Sequence, residues 1–370
     1  MPFIRPFAVE RWFAKYEFTT EINVAESCIK PLTLAELCSI AGVDPASLFG
    51  DEPLGYVDAA GSPGLRALVS GTYSQSTPEE VLITQGAIEA NFVLHCALVE
   101  PGDVVICQFP AYQQLHEVAR ARGAEVRFWR LEPENGFAPD VDDLKALATG
   151  RVKLIVLNNP HNPTGAVLDE GGLREVIKIA DSCGAMVHVD EVYHGIFHQE
   201  PVPTARALDP RVSVTSGMSK VYGLSGIRLG WVSAPRKVIE ACAVVRDYTS
   251  ICPSCLSERV SSVVLARRGA FLARSSSLAR QNLEIVTGWM AQNREFLSWA
   301  LPGGGVVGFP RYAAPLTSER LCAQLAEEHG VLLIPGACFD MENRFRLGFG
   351  YDTEKLRVGL SRLESFLKVL

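Results

Sequence analysis

Short runs of β-branched and apolar residues recur along the first two-thirds of the chain, and turn residues bound each run. Between several runs the apolar positions have helical spacing, as in Leu173, Val176, Ile177 and Ala180 before Gly184. Strands that alternate with helices form parallel sheets covered on both faces. The pattern predicts an α/β fold with a mainly parallel, seven-stranded sheet, whose strands lie at 81–84, 104–107, 125–130, 152–157, 185–189, 212–215 and 228–233.

After about residue 236 helical spacing dominates, and the strand signals become short and weak. The predicted helices lie at 236–248, 257–268, 271–293 and 353–369, and the strands near 305–309, 331–334 and 344–349. This mixture is typical of a second, smaller α+β domain. We therefore predict an N-terminal segment (1–45) that packs with the small domain and the pocket, a large domain (46–245) and a small C-terminal domain (246–370).

The composition is that of a large globular protein. Of the 370 residues, 48% are hydrophobic and 21% are charged, and the formal net charge is −7. An acidic balance disfavours a nucleic-acid partner. Charges interrupt the first dozen residues, where a signal peptide needs an apolar stretch, and no apolar run approaches the roughly 18 residues of a membrane span. We expect a cytoplasmic protein with no nucleic-acid or membrane partner.

Three short motifs follow predicted strands, at the ends where open α/β sheets collect their ligands. The run Pro160–Gly165 follows the strand at 152–157, and Asp190–Tyr193 (Asp-Glu-Val-Tyr) follows the next strand. Lys220 lies in a turn after the strand at 212–215, ringed by small and hydroxyl residues. Each motif alone is weak, but their order, spacing and placement together predict one site at this edge of the sheet.

These motifs resemble the signature of fold-type I enzymes that use pyridoxal 5'-phosphate (PLP), the aminotransferase class I/II family. The similarity extends over about residues 50–365. It implies that Lys220 binds the PLP aldehyde covalently and moves protons during catalysis. It further implies that Asp190 keeps the pyridine nitrogen protonated, and that Asn162 and Tyr193 donate to the phenolate oxygen of the ring.

The phosphate of PLP needs amide, hydroxyl and cationic donors. The strand at 81–84 leads through Gly86 into an apolar helix, whose first N–H groups, those of Ala87 and Ile88, can meet a dianion. The family often has a hydroxyl three residues before the lysine, where this chain has Gly217, so which serine contacts the phosphate stays open. The remaining phosphate contacts that the resemblance implies are Ser216, Ser219 and Arg228.

Two tyrosines complete the implied cofactor site. Tyr112, in Phe-Pro-Ala-Tyr, resembles the aromatic residue of the family that stacks on the ring face. Tyr56 resembles the family tyrosine that reaches the phosphate from the neighbouring subunit. The implied assembly is a homodimer with composite active sites.

Recognition of an amino acid substrate has one clear candidate near the C-terminus. The run Arg344-Phe-Arg346-Leu-Gly-Phe349 resembles the small-domain motif whose arginine binds the substrate α-carboxylate through two parallel hydrogen bonds. Alignment of this run with the family motif favours Arg346 over Arg344 as that arginine. Asn162 is expected to contact the substrate as well as the cofactor.

The N-terminal segment departs from the usual family pattern. Relatives line the pocket with a glycine of an I-N-L-x-x-G-x-P motif, whereas the run Ile22–Pro31 has Glu26 and Ser27 in its place. With an acidic-aromatic helix containing Glu10, and the run Gly86–Asn91, this segment is similar to the capreomycidine synthase branch, whose members cyclise hydroxylated arginine. A guanidinium should meet a carboxylate, so Glu10 and Glu26 are predicted substrate ligands, with Ser27 beside them.

Two reactions stay open, because the same residues would serve both. One is dehydration and cyclisation of a hydroxylated L-arginine by a lyase-cyclase of secondary metabolism. The other is transfer of an amino group from an L-amino acid to a 2-oxo acid. A PLP-binding regulator would need an added DNA-binding domain, for which the length and the acidic balance leave no room.

Two other patterns are weaker than the cofactor interpretation. The ten cysteines are scattered, with only Cys252 and Cys255 close together, and His194 and His198 could share a helix face. A metal site would need a second such pair, so none is expected.

The run Gly303–Gly308 satisfies the dinucleotide fingerprint G-x-G-x-x-G, which requires a strand before it and a helix after it. Here a helix-like stretch (293–300) precedes it and Phe-Pro follows, so we expect no dinucleotide site.

Overall fold

The computed structural model describes residues 4–49 and 53–370. Its strands are β1 (Ile22–Asn23), β2 (Val81–Thr84), β3 (Val104–Phe109), β4 (Glu125–Arg130), β5 (Leu154–Asn158), β6 (Met186–Asp190), β7 (Ser213–Gly217), β8 (Gly230–Ser233), β9 (Leu297–Ser298), β10 (Val307–Gly308), β11 (Arg311–Tyr312), β12 (Val331–Leu332), β13 (Ile334–Pro335) and β14 (Phe345–Gly348). Its α-helices are α1 (Ala8–Tyr16), α2 (Leu34–Ala41), α3 (Pro45–Phe49), α4 (Pro63–Ser70), α5 (Ala87–Leu98), α6 (Gln114–Ala121), α7 (Val141–Leu147), α8 (Glu170–Cys183), α9 (Ala205–Leu208), α10 (Arg236–Arg246), α11 (Cys255–Ala266), α12 (Arg268–Gln292), α13 (Ser318–His329) and α14 (Thr353–Leu367).

Seven strands form one sheet in the order β2-β8-β7-β6-β5-β3-β4. Strand β8 runs antiparallel to both of its neighbours, and the remaining pairs are parallel. The prediction of a mainly parallel, seven-stranded sheet is therefore confirmed. Asn158 of β5 lies beside Asp190 of β6, which lies beside Thr215 of β7, so the carboxyl ends of three adjacent strands meet at one edge.

Strand β5 shows why the chain forms this sheet. Its Leu154 and Val156 pack into one hydrophobic cluster, and Ile155 and Leu157 pack into another, with each side chain fully buried. Successive side chains of a strand point to opposite faces, so a continuous apolar run requires cover on both. Helices supply that cover, and each begins and ends at suitable residues. At α8, for example, the Asp169 side chain accepts from an amide of the first turn, and Gly184 ends the helix in the left-handed conformation.

The N-terminal segment joins the C-terminal part of the chain. Strand β1 pairs in parallel with β12, and the amide of Gly348 in β14 donates to the carbonyl of Val24 at 2.8 Å. A Cβ atom at Gly348 would lie 1.8 Å from the carbonyl oxygen of Glu26, so only glycine permits this approach. The amide of Ile29 donates to the carbonyl of Lys220 at 3.1 Å, which brings the same segment to the sheet edge. The residue bounds of the three predicted parts stay a prediction.

Two local predictions were wrong. The stretch 293–300 is not helical, because α12 ends at Gln292 and the side chain of Asn293 donates back to the carbonyl of Trp289, after which β9 pairs with β11. Turns, rather than a helix, surround His194 and His198, whose rings contact separate backbone carbonyls. In the described ranges no helix has the length and apolarity needed to cross a membrane.

Candidate active site

A cavity of about 390 Å³ lies at the carboxyl edge of the sheet. Strands β5, β6 and β7 contribute Asn158, Asp190 and Gly217, while helix α1 and residues 26–28 contribute the opposite wall. The cavity thus lies where open α/β sheets bind their ligands. It is lined by most of the predicted site residues: Glu10, Glu26, Ser27, Ala87, Ile88, Tyr112, Asn162, Asp190, Tyr193, Ser219, Lys220, Arg228 and Arg346.

Lys220 lies in the turn after β7, with its amine in the cavity. Its Nζ donates to Oγ of Ser27 at 2.7 Å. The hydroxyl of Tyr193 is also buried, and no hydrogen bond of good geometry joins it to the described residues. Burial raises the pKa of Tyr193, so this hydroxyl remains protonated and able to donate. A ligand oxygen in the cavity would give this buried hydroxyl a well-placed acceptor.

Asp190 is the last residue of β6 and is buried. Its Oδ1 accepts from the amide of Val192 at 3.1 Å, and its Oδ2 accepts from Nδ2 of Asn91 at 2.9 Å. Burial raises the pKa of Asp190, whereas the donors from Asn91 and Val192 and the charge of Lys220 oppose that rise. A buried carboxylate with few donors favours a cation beside it. The protonated nitrogen of a pyridine ring is such a cation.

The amino end of α5 forms a cradle for an anion. Gly86 precedes the helix with φ 82°, in the left-handed region, so the amides of Ala87 and Ile88 start the first turn. These N–H groups have no acceptor within the helix and carry its positive partial charge. A Cβ atom at Gly230 would lie 2.4 Å from the amide nitrogen of Ala87. Glycine there lets the end of the helix lie against the sheet edge.

Arg228 supplies the cation of this cradle. A Cβ atom at Gly86 would lie only 2.8 Å from Nη2 of Arg228, which shows how closely the guanidinium approaches the helix end. Arg228 has φ 54°, and its Nη1 donates to the carbonyl of Ser225 at 2.8 Å. A left-handed conformation costs a residue with a side chain about 1–2 kcal/mol, and such strain is concentrated at functional sites. The cradle fits a phosphate dianion.

Two sequence-predicted cofactor residues lie apart from the cavity. Ser216 is buried within β7, and its Oγ donates to the carbonyl of Glu191 at 3.2 Å, whereas Ser219 lies in the turn after β7 and lines the cavity. Tyr56 is 89% exposed, so it does not reach the cavity of its own chain. Within one chain, therefore, Ser219 lies in the cavity and Ser216 does not.

Arg346 and Arg344 occupy different environments, although they are two residues apart in β14. Arg346 is buried and faces the cavity, where its Nη1 donates to Oδ1 of Asn162 at 3.1 Å and its Nη2 donates to the carbonyl of Ala25 at 3.0 Å. Its Nε has no partner within the described residues. Arg344 points away and lies over the ring of Phe137, 4.9 Å from its centroid. Arg346 is thus the arginine available to a ligand carboxylate.

Three carboxylates face the cavity from the N-terminal segment: Glu10, Glu17 and Glu26. Glu10 accepts from the hydroxyl of Tyr112 at 2.8 Å. Burial, together with the charges of Glu26 and Glu10, raises the pKa of Glu17. The three groups therefore repel one another, and a cation bound among them would relieve that repulsion.

The lining residues without a predicted role include Glu17, Cys28, Asn91 and Asn158. Glu17 is the residue after α1 and comes seven positions, or about two helical turns, after Glu10, so helical spacing could have found it. Asn158 holds the loop after β5, because its Oδ1 accepts from the amide of Asn162 at 2.7 Å. Nothing in the local sequence marks Cys28, which contacts the site only because the segment folds back against Lys220. No group of His, Cys, Asp and Glu in residues 4–49 and 53–370 is suited to hold a metal ion.

Comparison with known proteins agrees with this geometry. The model of the family "Aminotransferase class I and II" matches residues 48–363. The chain belongs to this family. Its cofactor is pyridoxal 5'-phosphate and its fold is that of fold-type I PLP enzymes, as the sequence analysis expected. The residues present fit PLP: the cradle at Gly86 suits the phosphate, Asp190 the pyridine nitrogen, Tyr193 the phenolate oxygen and Lys220 the aldehyde.

Three similar proteins illustrate the range of the family. Capreomycidine synthase of Streptomyces vinaceus is 34% identical over 365 residues, 97% of this chain and 93% of that protein. The structure of a PLP-dependent aminotransferase from Streptococcus suis superposes with a TM-score of 0.95 at 36% identity, covering 100% of this chain and 99% of the other. The structure of the PLP-dependent cyclase OrfR superposes with a TM-score of 0.93 at 30% identity, covering 99% and 97%. The chain is therefore similar to a capreomycidine synthase, to a PLP-dependent cyclase and to a PLP-dependent aminotransferase.

Proposed function

We propose that this protein dehydrates and cyclises a hydroxylated L-arginine to give a cyclic guanidino amino acid. The observation that carries the proposal is the group of three carboxylates, Glu10, Glu17 and Glu26, in one cavity with Lys220. A planar guanidinium pairs well with carboxylate oxygens, and a desolvated cation needs such partners. A neutral or acidic substrate would leave the three carboxylates uncompensated. The similarity to capreomycidine synthase and to the cyclase OrfR supports the same choice.

The substrate would lie between two oppositely charged walls. Arg346 would bind the α-carboxylate, because its guanidinium faces the cavity with one nitrogen still unpartnered. The side-chain guanidinium would extend toward Glu17 and its neighbours. This orientation places the α-carbon near Lys220, whose amine is already held inside the cavity by Ser27. Binding both ends fixes the reacting carbon beside the base.

The residues of this chain would then move the protons of the reaction. PLP, when bound, supplies a sink for negative charge at the α-carbon. The Lys220 amine takes the α-proton, and the substrate hydroxyl departs with a proton as water. A guanidino nitrogen then bonds to the unsaturated side chain, loses its own proton, and a proton returns to carbon. The net change is the loss of one water molecule and the formation of one ring.

The alternative is an aminotransferase, favoured by the similarity to the Streptococcus suis structure described as a PLP-dependent aminotransferase. Lys220 would then carry the proton from the α-carbon to the cofactor, and an amino group would pass to a 2-oxo acid. Arg346 and the cofactor cradle would serve unchanged. The carboxylates would select a basic amino acid as the amino donor.

Product masses distinguish the two reactions. The purified protein with PLP is incubated with L-arginine, 3-hydroxyarginine or 4-hydroxyarginine, each with and without a 2-oxo acid. We expect one hydroxyarginine to lose the mass of one water without any oxo acid. Amino-group exchange that requires an oxo acid would instead establish the aminotransferase and reject the cyclase.

We also propose a homodimer in which Tyr56 reaches the phosphate cradle of the partner. Two features support it: Tyr56 is 89% exposed, and Arg228 at the cradle is exposed as well. Light scattering should give twice the chain mass of 40.3 kDa. A Tyr56→Phe variant should bind PLP more weakly, and unchanged PLP affinity would reject this role. A cytoplasmic location stays a prediction.

A further inference from the structure

A row of hydrogen bonds runs from Asp190 away from the cavity and into the sheet. Asn91 of α5 donates to Asp190 Oδ2 at 2.9 Å, and Thr215 of β7 donates from Oγ1 to Asn91 Oδ1 at 2.6 Å. Nε2 of His188, in β6, lies 2.9 Å from Thr215 Oγ1. Nδ1 of His188 lies 3.0 Å from Nε2 of His95, also in α5. The row therefore joins five side chains from three elements.

The chemistry of these groups gives the row one direction. Asn91 uses its amide nitrogen toward Asp190, so its oxygen must accept, and the Thr215 hydroxyl must donate to it. That hydroxyl then accepts from His188, which must carry its proton on Nε2. Nδ1 of His188 is consequently an acceptor, and His95 must donate to it from Nε2. Nδ1 of His95 is buried without a partner in the described residues, as this tautomer requires, since a proton there would be an unsatisfied donor.

Burial keeps both imidazoles neutral. His95 and His188 have no exposed surface, and Asn91 is 2% exposed. Burial lowers the pKa of His95 to about 4 and lowers the pKa of His188 well below its usual range, with His95 adding to the latter effect. Among the described residues, no carboxylate contributes to the pKa shift of either ring. Neutral rings with a single tautomer can hold the hydroxyl and the amide in one orientation.

The three remote members act only through their neighbours. Asn91 and Asp190 line the cavity, whereas Thr215, His188 and His95 do not. A second constraint acts on Asn91, whose Nδ2 is also 3.3 Å from Oε1 of Gln114. Without the Thr215 donor, the amide of Asn91 could turn and direct its oxygen at the carboxylate. Aligned donors strengthen one another in a medium of low dielectric constant.

We propose that His95, His188, Thr215 and Asn91 form a one-way hydrogen-bond relay that holds Asp190 ionised, as the carboxylate that would pair with the pyridine nitrogen. The remote members are positioning residues: they orient Asn91, and Asn91 stabilises the charge of the carboxylate. This inference rests on the proposed role of Asp190 at the pyridine nitrogen. It assigns a function to Asn91, which lines the cavity, and to three side chains that do not line it.

The tautomers test the direction of the relay without any cofactor. In protein labelled with ¹⁵N-histidine, NMR distinguishes protonated from unprotonated ring nitrogens, and His95→Gln and His188→Gln variants assign the signals. We expect both histidines to be neutral and protonated on Nε2 from about pH 6 to pH 8. An imidazolium, or a proton on Nδ1 of either ring, would overturn the proposal.

Removal of the Thr215 hydroxyl tests what the relay does. In Thr215→Val loaded with ¹⁵N-pyridine-labelled PLP, we expect the ring nitrogen signal to move toward that of an unprotonated pyridine. Thr215→Ser, which retains the hydroxyl, should restore the parent signal. The matched control is Thr353→Val, which removes an equivalent bond, Thr353 Oγ1 to Asn282 Oδ1 at 2.8 Å, in α14 and α12. An unchanged signal in Thr215→Val, or an equal shift in the control, would reject the relay.

A further variant separates this inference from the role on which it rests. Asp190→Asn removes the carboxylate itself, so its ring nitrogen should lose the proton more completely than in Thr215→Val. If Asp190→Asn leaves the signal unchanged, the role of Asp190 fails. If Asp190→Asn shifts the signal and Thr215→Val does not, only the relay fails.

Discussion

The cofactor half and the substrate half of the cavity are built in different ways. Asp190 is the last residue of β6, and Lys220 and Gly86 lie in the turns after β7 and β2, so the sheet sets their spacing. Glu10, Glu17 and Glu26 instead come from α1 and from the segment that precedes α2. The cofactor half is therefore a property of the fold, whereas the substrate half can vary without changing the sheet.

Arg346 is one of the residues that connect the two halves. Arg346 donates to Asn162, in the loop after β5, and to the carbonyl of Ala25, in the N-terminal segment. The amide of Lys30 also donates to the carbonyl of Gly350 at 2.8 Å, which anchors the same segment beyond the cavity. Substitutions in the cofactor half should consequently abolish the reaction, whereas substitutions in the substrate half should change which substrate is preferred.

The largest effect is expected from Lys220→Ala, since no other amine lines the cavity within the described residues. Lys220 is both the covalent partner of PLP and the proton carrier in the proposed function. The parent protein should be yellow and show a visible absorbance band, and the variant should show no turnover. A colourless parent that gains no band with added PLP, or a variant of near-normal rate, would contradict this assignment.

A smaller loss of rate is expected from Asp190→Asn. Without the carboxylate the ring nitrogen is protonated less often, while the phosphate contacts at the cradle persist. The barrier should rise by several kcal/mol, where about 1.4 kcal/mol corresponds to a tenfold change in rate. Exchange of the α-proton with solvent, followed by NMR, measures this step. If the variant exchanges that proton as fast as the parent, Asp190 does not have this role.

Selective effects are expected from Glu10→Gln, Glu17→Gln and Glu26→Gln. Loss of one charged hydrogen bond should weaken the binding of an arginine-like substrate by roughly 1.5–3 kcal/mol. The spectrum of bound PLP should not change. Glu21→Gln is the matched control, because Glu21 lies outside the cavity in an exposed ion pair with Arg362 at 2.7 Å. If all three variants have the same kinetics as the parent protein, the carboxylates do not bind the substrate. The function to propose would then be an aminotransferase for a neutral amino acid.

The smallest expected effect is a dependence of substrate affinity on pH. Burial first, and then Glu26 and Glu10, raise the pKa of Glu17, so this carboxylate loses its charge at a higher pH than an exposed one. Affinity for a cationic side chain should be complete above that raised pKa and should fall as the pH is lowered through it. In Glu17→Gln, the affinity for the cationic side chain should not show this fall as the pH is lowered. A pH profile identical in parent and variant would show that Glu17 does not contact the cation.

Sequence predicted the cofactor half better than the substrate half, for a physical reason. Lys220 and Asp190 lie directly after strands with strong apolar patterns, so their shared edge followed from the order of the strands. Ser27 and Glu17 lie in the cavity because β1 pairs with β12, more than three hundred residues later in the chain. Such long-range pairing leaves no local pattern.

The remaining differences have equally local causes. The helical pattern at 293–300 gave way to β9, because pairing with β11 satisfies the backbone there. The relay was not foreseen, since only the fold brings the ring of His95, in α5, to within 3.0 Å of His188, in β6. The contrast between Ser216 and Ser219 also required the structure, because the turn after β7 decides which hydroxyl enters the cavity.

The central claim is that the N-terminal carboxylates recognise a guanidinium independently of the cofactor half. Titration of the PLP-loaded protein with L-arginine and with L-citrulline, its neutral isostere, tests this claim through the absorbance of bound PLP. We expect arginine to bind at least about tenfold more tightly, the equivalent of about 1.4 kcal/mol. That preference should shrink in Glu17→Gln and persist in Glu21→Gln. Equal affinities of the parent protein for arginine and citrulline would contradict the account.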